Sequence, residues 1–151
     1  GWGYMKASGA TTIWEMWEKD LPGHSLLHSS FLFPGAWYMS GIGGIRMSDD
    51  SQGFRHFILR APDLPQLDSA EVSYDSFSGL IESEWSRNDG LLRYNVTVPP
   101  NTSATVMIPA REDVVVNERS GHAEYLGIAD GCHCYAVSSG YYGFIEVRPT
   151  D

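Results

Sequence analysis

Glu15 stands between two tryptophans in the run Thr11-Thr12-Ile13-Trp14-Glu15-Met16-Trp17-Glu18-Lys19. A carboxylate flanked by large flat rings suits sugar chemistry, because a carboxylate can take a proton from water and ring faces serve as platforms for a pyranose. Cleaving a glycosidic bond needs two carboxyl groups, an acid and a base or nucleophile, so Glu15 would be one half of such a pair. The same residues also have a structural reading. Thr12 and Glu15 match the Thr-x-x-Glu capping box of a helix start, and Trp14 and Trp17, three apart, would share a helix face and can be core. His28 is the second candidate. It follows Ser25-Leu26-Leu27 at what reads as the start of another helix, where a lone histidine either meets a ligand or is partly buried at the helix start. His24 lies four residues earlier, but His-x-x-x-His without a glutamate partner is no metal signature.

Other chemistry is sparse. Cys132 and Cys134 are the only cysteines, and in a strand both thiols face one side. A disulfide across one residue is strained and a zinc site needs more ligands close by, so free thiols are expected. There is no glycine-rich phosphate loop and no Ser/His/Asp arrangement; neither a cofactor nor a metal is expected. Asn95-Val96-Thr97 and Asn101-Thr102-Ser103 match the short glycosylation sequon. The net charge of −9, from 10 Lys+Arg against 19 Asp+Glu, disfavours phosphate backbones and anionic lipid, so nucleic acid and membrane are poor partners. No apolar run reaches the roughly 18 residues a bilayer span requires.

The elements that must position Glu15 and His28 fall in the first third of the 151 residues. Residues 1–48 hold Trp2, Trp14, Trp17 and Trp37, four of the five tryptophans. The spacing predicts one helix from Thr11 to Lys19 and, after the turn-like Leu21-Pro22-Gly23-His24, a second from Ser25 to Tyr38, kinked or ended by Pro34 and Gly35. Gly41, Gly43 and Gly44 mark the exit. Such a segment is too small to enclose a core. From about residue 53 the period becomes two. Phe54–Leu59, Val72–Ser76, Leu80–Ser86, Leu91–Val98, Ala104–Ile108, Val114–Val116, Tyr125–Ile128, Cys132–Val137 and Gly143–Val147 read as strands, with Asp89-Gly90 as a hairpin turn and Pro99-Pro100-Asn101 as another turn. Leu92, Tyr94, Val96 and Val98 fall on one face. Short strands with this punctuation predict a mainly β chain with an antiparallel β-sandwich. The expected division is 1–48 and 49–151, and a start without Met inside a pattern reads as a piece of something longer.

Gly9-Ala10-Thr11-Thr12-Ile13-Trp14-Glu15-Met16-Trp17 resembles the Gly-Ala-Thr-Thr-x-Trp-Glu-x-Trp motif of the α-L-rhamnosidases, glycoside hydrolase family 78. Ser25-Leu26-Leu27-His28 with Phe31 is similar to that family's Ser-Leu-Asn-His segment, with Leu27 where the family has Asn, and Trp37 matches the tryptophan after it. Gly79–Trp85 and Val98–Val106 resemble its C-terminal β domain. The resemblance implies the last helices of an (α/α)6 barrel followed by a C-terminal β-sandwich, in a bacterial enzyme that hydrolyses terminal α-L-rhamnosides with inversion. It implies Glu15 as general base and His28 as a contact to the bound sugar; Trp14 and Trp17 fall inside the motif, which assigns them no role of its own, and they stand as substrate-binding candidates for their rings. The general acid would belong to preceding sequence. The implied partners are a rhamnose-containing glycan or glycoside and the rest of the catalytic barrel, in a periplasmic, extracellular or cytoplasmic compartment that the residues leave open. A second reading is a non-catalytic β-sandwich that binds carbohydrate or supports the barrel, with Trp85, Tyr141, Tyr142 and Phe144 as the rings available to a sugar.

Overall fold

The computed structural model describes residues 1–18, 22–29 and 33–149, in two compact units, Gly1–Trp37 and Tyr38–Asp151. The second unit carries the strands: β1 Ile45–Met47, β2 His56–Arg60, β3 Ser69–Ser76, β4 Gly79–Asn88, β5 Leu91–Pro109, β6 Val115–Glu118, β7 Glu124–Ala129 and β8 Cys132–Val147. All eight join one hydrogen-bonded sheet, and two of them are long enough to fold it over. The first half of β5 pairs with β4 and with the end of β8, which in turn pairs with β6, while β3 lies outside β4. The second half of β5 pairs in parallel with β2 and antiparallel with the start of β8, and β1 and β7 form the edges there. Two five-stranded layers result, sharing β5 and β8.

The corner is made where β5 cannot stay in the ladder. Pro99 and Pro100 lack an N–H, and Asn101 takes φ 59°, a left-handed conformation that Asn tolerates better than most residues. Thr102 Oγ1 donates to the Pro99 carbonyl at 2.7 Å and fixes the bend. Pairing of β5 with β8 breaks between Val98 and Ser103, and opposite the break β8 turns at Gly140. The segments Leu91–Val98 and Ala104–Ile108 are therefore one strand bent at a corner, as are Cys132–Val137 and Gly143–Val147.

Folding the sheet buries a main core between its layers, beside a small separate cluster of Met107, Cys132 and Cys134. Trp85, Tyr94, Val96 and Phe144 of the first layer pack in the same cluster as Phe57, Leu59, Val106 and Tyr135 of the second, and the Tyr135 and Phe144 rings lie 5.0 Å apart. Both layers thus face each other as a sandwich, with Leu92, Tyr94, Val96 and Val98 inward as their spacing predicts. Two buried polar side chains bind the chain that precedes β1. Ser83 Oγ donates to the Gly43 carbonyl and Trp85 Nε1 to the Ile42 carbonyl at 2.8 Å, which ties residues 42–44 to the sandwich. Burial raises the pKa of the Tyr94 phenol, opposed by its hydrogen bond with Ser83. Cys132 and Cys134 are free and buried, and burial pushes the Cys132 thiol up.

The first unit differs from expectation. Among its described residues the helices are α1 Trp2–Ala7 and the single turn α2 Pro34–Trp37; a π-helical turn, Tyr38–Ile42, opens the second unit. Residues 11–18 and 22–29 form bends and turns, so helices over 11–19 and 25–38 do not form in the described residues; Lys19, Leu21 and Phe31 lie outside them. Helices of that length draw most of their stability from burying one face against a second layer. Here the two segments direct their hydrogen-bonding groups at each other instead. Pro34, expected to kink or end a helix, begins α2, where its missing N–H costs nothing. No described helix is long and apolar enough to cross a membrane.

Candidate active site

The site begins with a helix end. Gly9 adopts φ 79° just past α1; its N–H donates to the Lys6 carbonyl at 3.1 Å, and the Ala10 N–H to the Met5 carbonyl at 2.9 Å. This is a Schellman closure, and it needs a residue without Cβ strain at the left-handed position. The first glycine of the Gly-Ala-Thr-Thr run therefore reverses the chain and sends residues 11–15 away from α1.

Those residues are laced to 25–28. Thr12 Oγ1 donates to the Leu26 carbonyl, the Glu15 N–H to the Ser25 carbonyl at 3.0 Å, and the His28 N–H to the Ile13 carbonyl at 2.9 Å. The Ser25 N–H returns a bond to Glu15 Oε2 at 2.8 Å. Ser25 holds its own turn, with Oγ donating to the Leu27 carbonyl at 2.6 Å. The capping-box reading is thereby overturned: Thr12 and Glu15 do not close a helix start on each other, because their side chains reach residues ten or more positions away. Ser25, read as the first residue of a second helix, likewise acts in a turn.

The lacing brings Glu15 and His28 together, with Nδ1 3.8 Å from Oε2 and both side chains about a third exposed, at 33% for His28 and 40% for Glu15. Oε2 is held by Ser25, and Oε1 accepts no hydrogen bond from a described residue. Glu15, Trp14 and Trp17 line one cavity of about 450 Å³, closed further by Trp2, Met5, Ile13, Phe33 and Pro34. Trp14 is buried in its wall and Trp17 is half exposed. The volume falls in the range of small-molecule sites, which are mostly apolar with few polar groups. Four residues singled out in the sequence thus converge: three in one cavity, with His28 beside the carboxylate. Ser25, which orients that carboxylate through its backbone, was not singled out for this role; nor were Phe33 and Pro34.

The rings proposed for sugar binding on the sandwich do not serve it. Trp85, Tyr142 and Phe144 are core residues at 1%, 3% and 1% exposure, and only Tyr141 faces solvent. Aromatics alternating along central strands turn inward when both layers face a common core. Among the described residues no group of three or more His, Cys, Asp or Glu side chains converges on a metal position.

Along the chain, a segment that sets a carboxylate at the wall of an aromatic cavity is followed by a β-sandwich. The chain belongs to the family described as bacterial alpha-L-rhamnosidase C-terminal domain, whose model matches residues 44–123. It is 30% identical, over 95% of its length, to an alpha-L-rhamnosidase of Streptomyces avermitilis, of which it covers 14%. Its fold is similar to the crystal structure of a Streptomyces avermitilis alpha-L-rhamnosidase complexed with L-rhamnose (TM-score 0.78, 29% identity, 96% of this chain and 14% of that one). It is equally similar to an alpha-L-rhamnosidase from Dictyoglumus thermophilum (TM-score 0.78, 28% identity, 95% of this chain and 17% of that one). The chain therefore spans about one-seventh to one-sixth of the length of these relatives.

Proposed function

We propose that the chain is the C-terminal part of an enzyme that hydrolyses terminal α-L-rhamnosides with inversion, Glu15 being its general base. In this reading residues 1–48 end an (α/α)6 barrel and residues 49–151 are the sandwich that follows. The observation that carries it is the Glu15 carboxylate, held by the Ser25 N–H at the wall of an aromatic cavity with His28 beside it. One Glu15 oxygen is held by the Ser25 N–H and the side chain is 40% exposed, which suits a base that activates water. Inversion places the water between the base and the anomeric carbon, with the two carboxyl groups roughly 6.5–9.5 Å apart. Trp14 and Trp17 supply the apolar wall for the sugar's C–H face, and His28 a polar contact to its hydroxyls. The general acid lies in sequence preceding residue 1.

Because the reaction needs both carboxyl groups, the 151-residue chain alone should not turn over an aryl α-L-rhamnoside, whereas the longer protein should. Proton NMR of the longer protein's reaction should show β-L-rhamnose before mutarotation. First-formed α-L-rhamnose, or turnover by the chain alone, would refute the proposal.

A further inference from the structure

A second cavity, of about 500 Å³, opens on the sandwich between the β1–β2 connection and the β3–β4 hairpin, and it shares no residue with the Glu15 cavity. Gln52, Phe54, Arg55, Tyr74, Phe77 and Ser78 supply its chemistry. Phe54 is anchored from below, its ring edge-on to the core residue Phe57 at 5.9 Å, and it packs against Tyr74 at 4.7 Å. Phe77 is wholly in solvent at the hairpin tip. That tip is a defined turn, with Ser76 Oγ donating to the Gly79 carbonyl at 2.6 Å and the Ser78 N–H to Ser76 Oγ at 3.3 Å. Turns favour Gly, Asn, Asp, Ser and Pro, and a phenylalanine there contributes nothing to the core. The Arg55 backbone is pinned, its carbonyl accepting from the Ser103 N–H at 3.0 Å. Its guanidinium makes no hydrogen bond or ion pair among the described residues.

We propose that this groove is a carbohydrate subsite that holds one neutral sugar unit of a glycan. A pyranose presents a face of C–H bonds and an edge of vicinal hydroxyls. Ring faces, negative at their centre, attract the polarised C–H bonds, and a planar guanidinium with five donors spans adjacent hydroxyl oxygens. The amide of Gln52 and the hydroxyl of Ser78 add donors and acceptors at the same rim. A purely apolar occupant would leave those groups unused, and nucleic acid is disfavoured by the net charge of −9. The inference stands independently of the role proposed for Glu15.

The test is a ¹H–¹⁵N NMR titration of the 151-residue chain with methyl α-L-rhamnoside and with an α-L-rhamnosyl disaccharide, cyclohexanol being the control ring without vicinal hydroxyls. Saturable millimolar shifts are expected at the amides of Arg55, Ser76, Phe77 and Ser78, the disaccharide binding more tightly. Phe77→Ala and Arg55→Ala should each weaken binding about ten-fold, the scale of one lost ring or charge-assisted contact. Phe77 has no packing to lose, so that variant remains folded. Glu15→Gln should leave these shifts unchanged, which separates this site from the other. Absence of shifts at these amides, equal binding of cyclohexanol, or binding indifferent to Phe77→Ala would overturn the proposal. A lowered Tm of the longer protein on Phe77→Ala, with no amide response to sugar, would also overturn it and make the groove a packing surface.

Discussion

Glu146 shows how one side chain can hold an end of the sandwich. Its carboxylate is almost wholly buried; Oε2 accepts from the Leu92 N–H at 2.9 Å and from Arg111 Nη1 at 3.1 Å. Arg111 Nη1 also donates to the Gly90 carbonyl at 2.7 Å, so the pair joins β8 to the β4–β5 hairpin. Glu146→Ala strands the Leu92 amide and removes the buried partner of Arg111, which keeps the Gly90 carbonyl and Asp113, and should cost about 2 kcal/mol. Glu146→Gln retains an acceptor and should cost about half as much. Urea midpoints measure both, and an unchanged midpoint for Glu146→Ala would contradict the account. Glu118 is only half-buried and behaves differently. Burial pushes its pKa up, but hydrogen bonds from Ser120, Gly121 and Ala123 outweigh this and hold the carboxyl below the usual carboxylate range. Its stabilisation is therefore present above the unfolded-state value near about 4.3 and is lost as pH falls through the depressed one. Glu118→Gln should lower Tm by about 2 °C at neutral pH, with the gap closing at strongly acidic pH in thermal melts. At this scale two separate segments, residues 9–17 and 25–28, singled out Glu15 and His28, which the fold brings within 3.8 Å of each other. The Ser25 bond that fixes the carboxylate was not legible, because Thr-x-x-Glu describes a local cap equally well and only the folded chain shows the distant partner.

Elements are decided by backbone possibilities more than by side-chain preference. Gly44 has φ 68°, and a Cβ there would stand 1.9 Å from the Arg60 carbonyl oxygen, where β1 meets β2. Gly44→Ala should therefore cost about 3 kcal/mol, since backbone must move. Gly53→Ala is the matched control: its φ is 62°, but nothing lies within 4 Å, so about 1 kcal/mol is expected from conformation alone. Equal losses of denaturation midpoint would show that the close approach is immaterial. The β4–β5 hairpin was legible because Asp89 and Gly90 both take positive φ, the requirement of a two-residue turn. Asp130-Gly131 carries the same signal between β7 and β8 and was available to the same reasoning. The corner was not legible. Pro99-Pro100-Asn101 reads as a turn between strands, and only the unbroken partner β8 reveals one strand bending from layer to layer. The helices failed for a converse reason, their apolar spacing being real while the layer that would stabilise them is not among these residues.

For the molecule as a whole, the division into an aromatic segment and a sandwich follows from composition, yet the two parts differ in how they satisfy themselves. The sandwich encloses a closed core, whereas Trp2, Met16, Trp17, Leu26, Leu27, Phe33 and Trp37 of the first unit stay substantially exposed. Apolar surface of this extent marks contact with something further. The chain covers 14% of the Streptomyces avermitilis relative, and in the function proposed above sequence outside these 151 residues supplies that contact and the second carboxyl group. The most direct measurement is steady-state turnover of an aryl α-L-rhamnoside by the longer protein carrying Glu15→Gln. The side chain keeps its shape and its bond from Ser25 but cannot take a proton, so kcat should fall by roughly 10²–10⁴ with KM and Tm nearly unchanged. A kcat within a few-fold of the unaltered protein would contradict the assignment of Glu15 as the base.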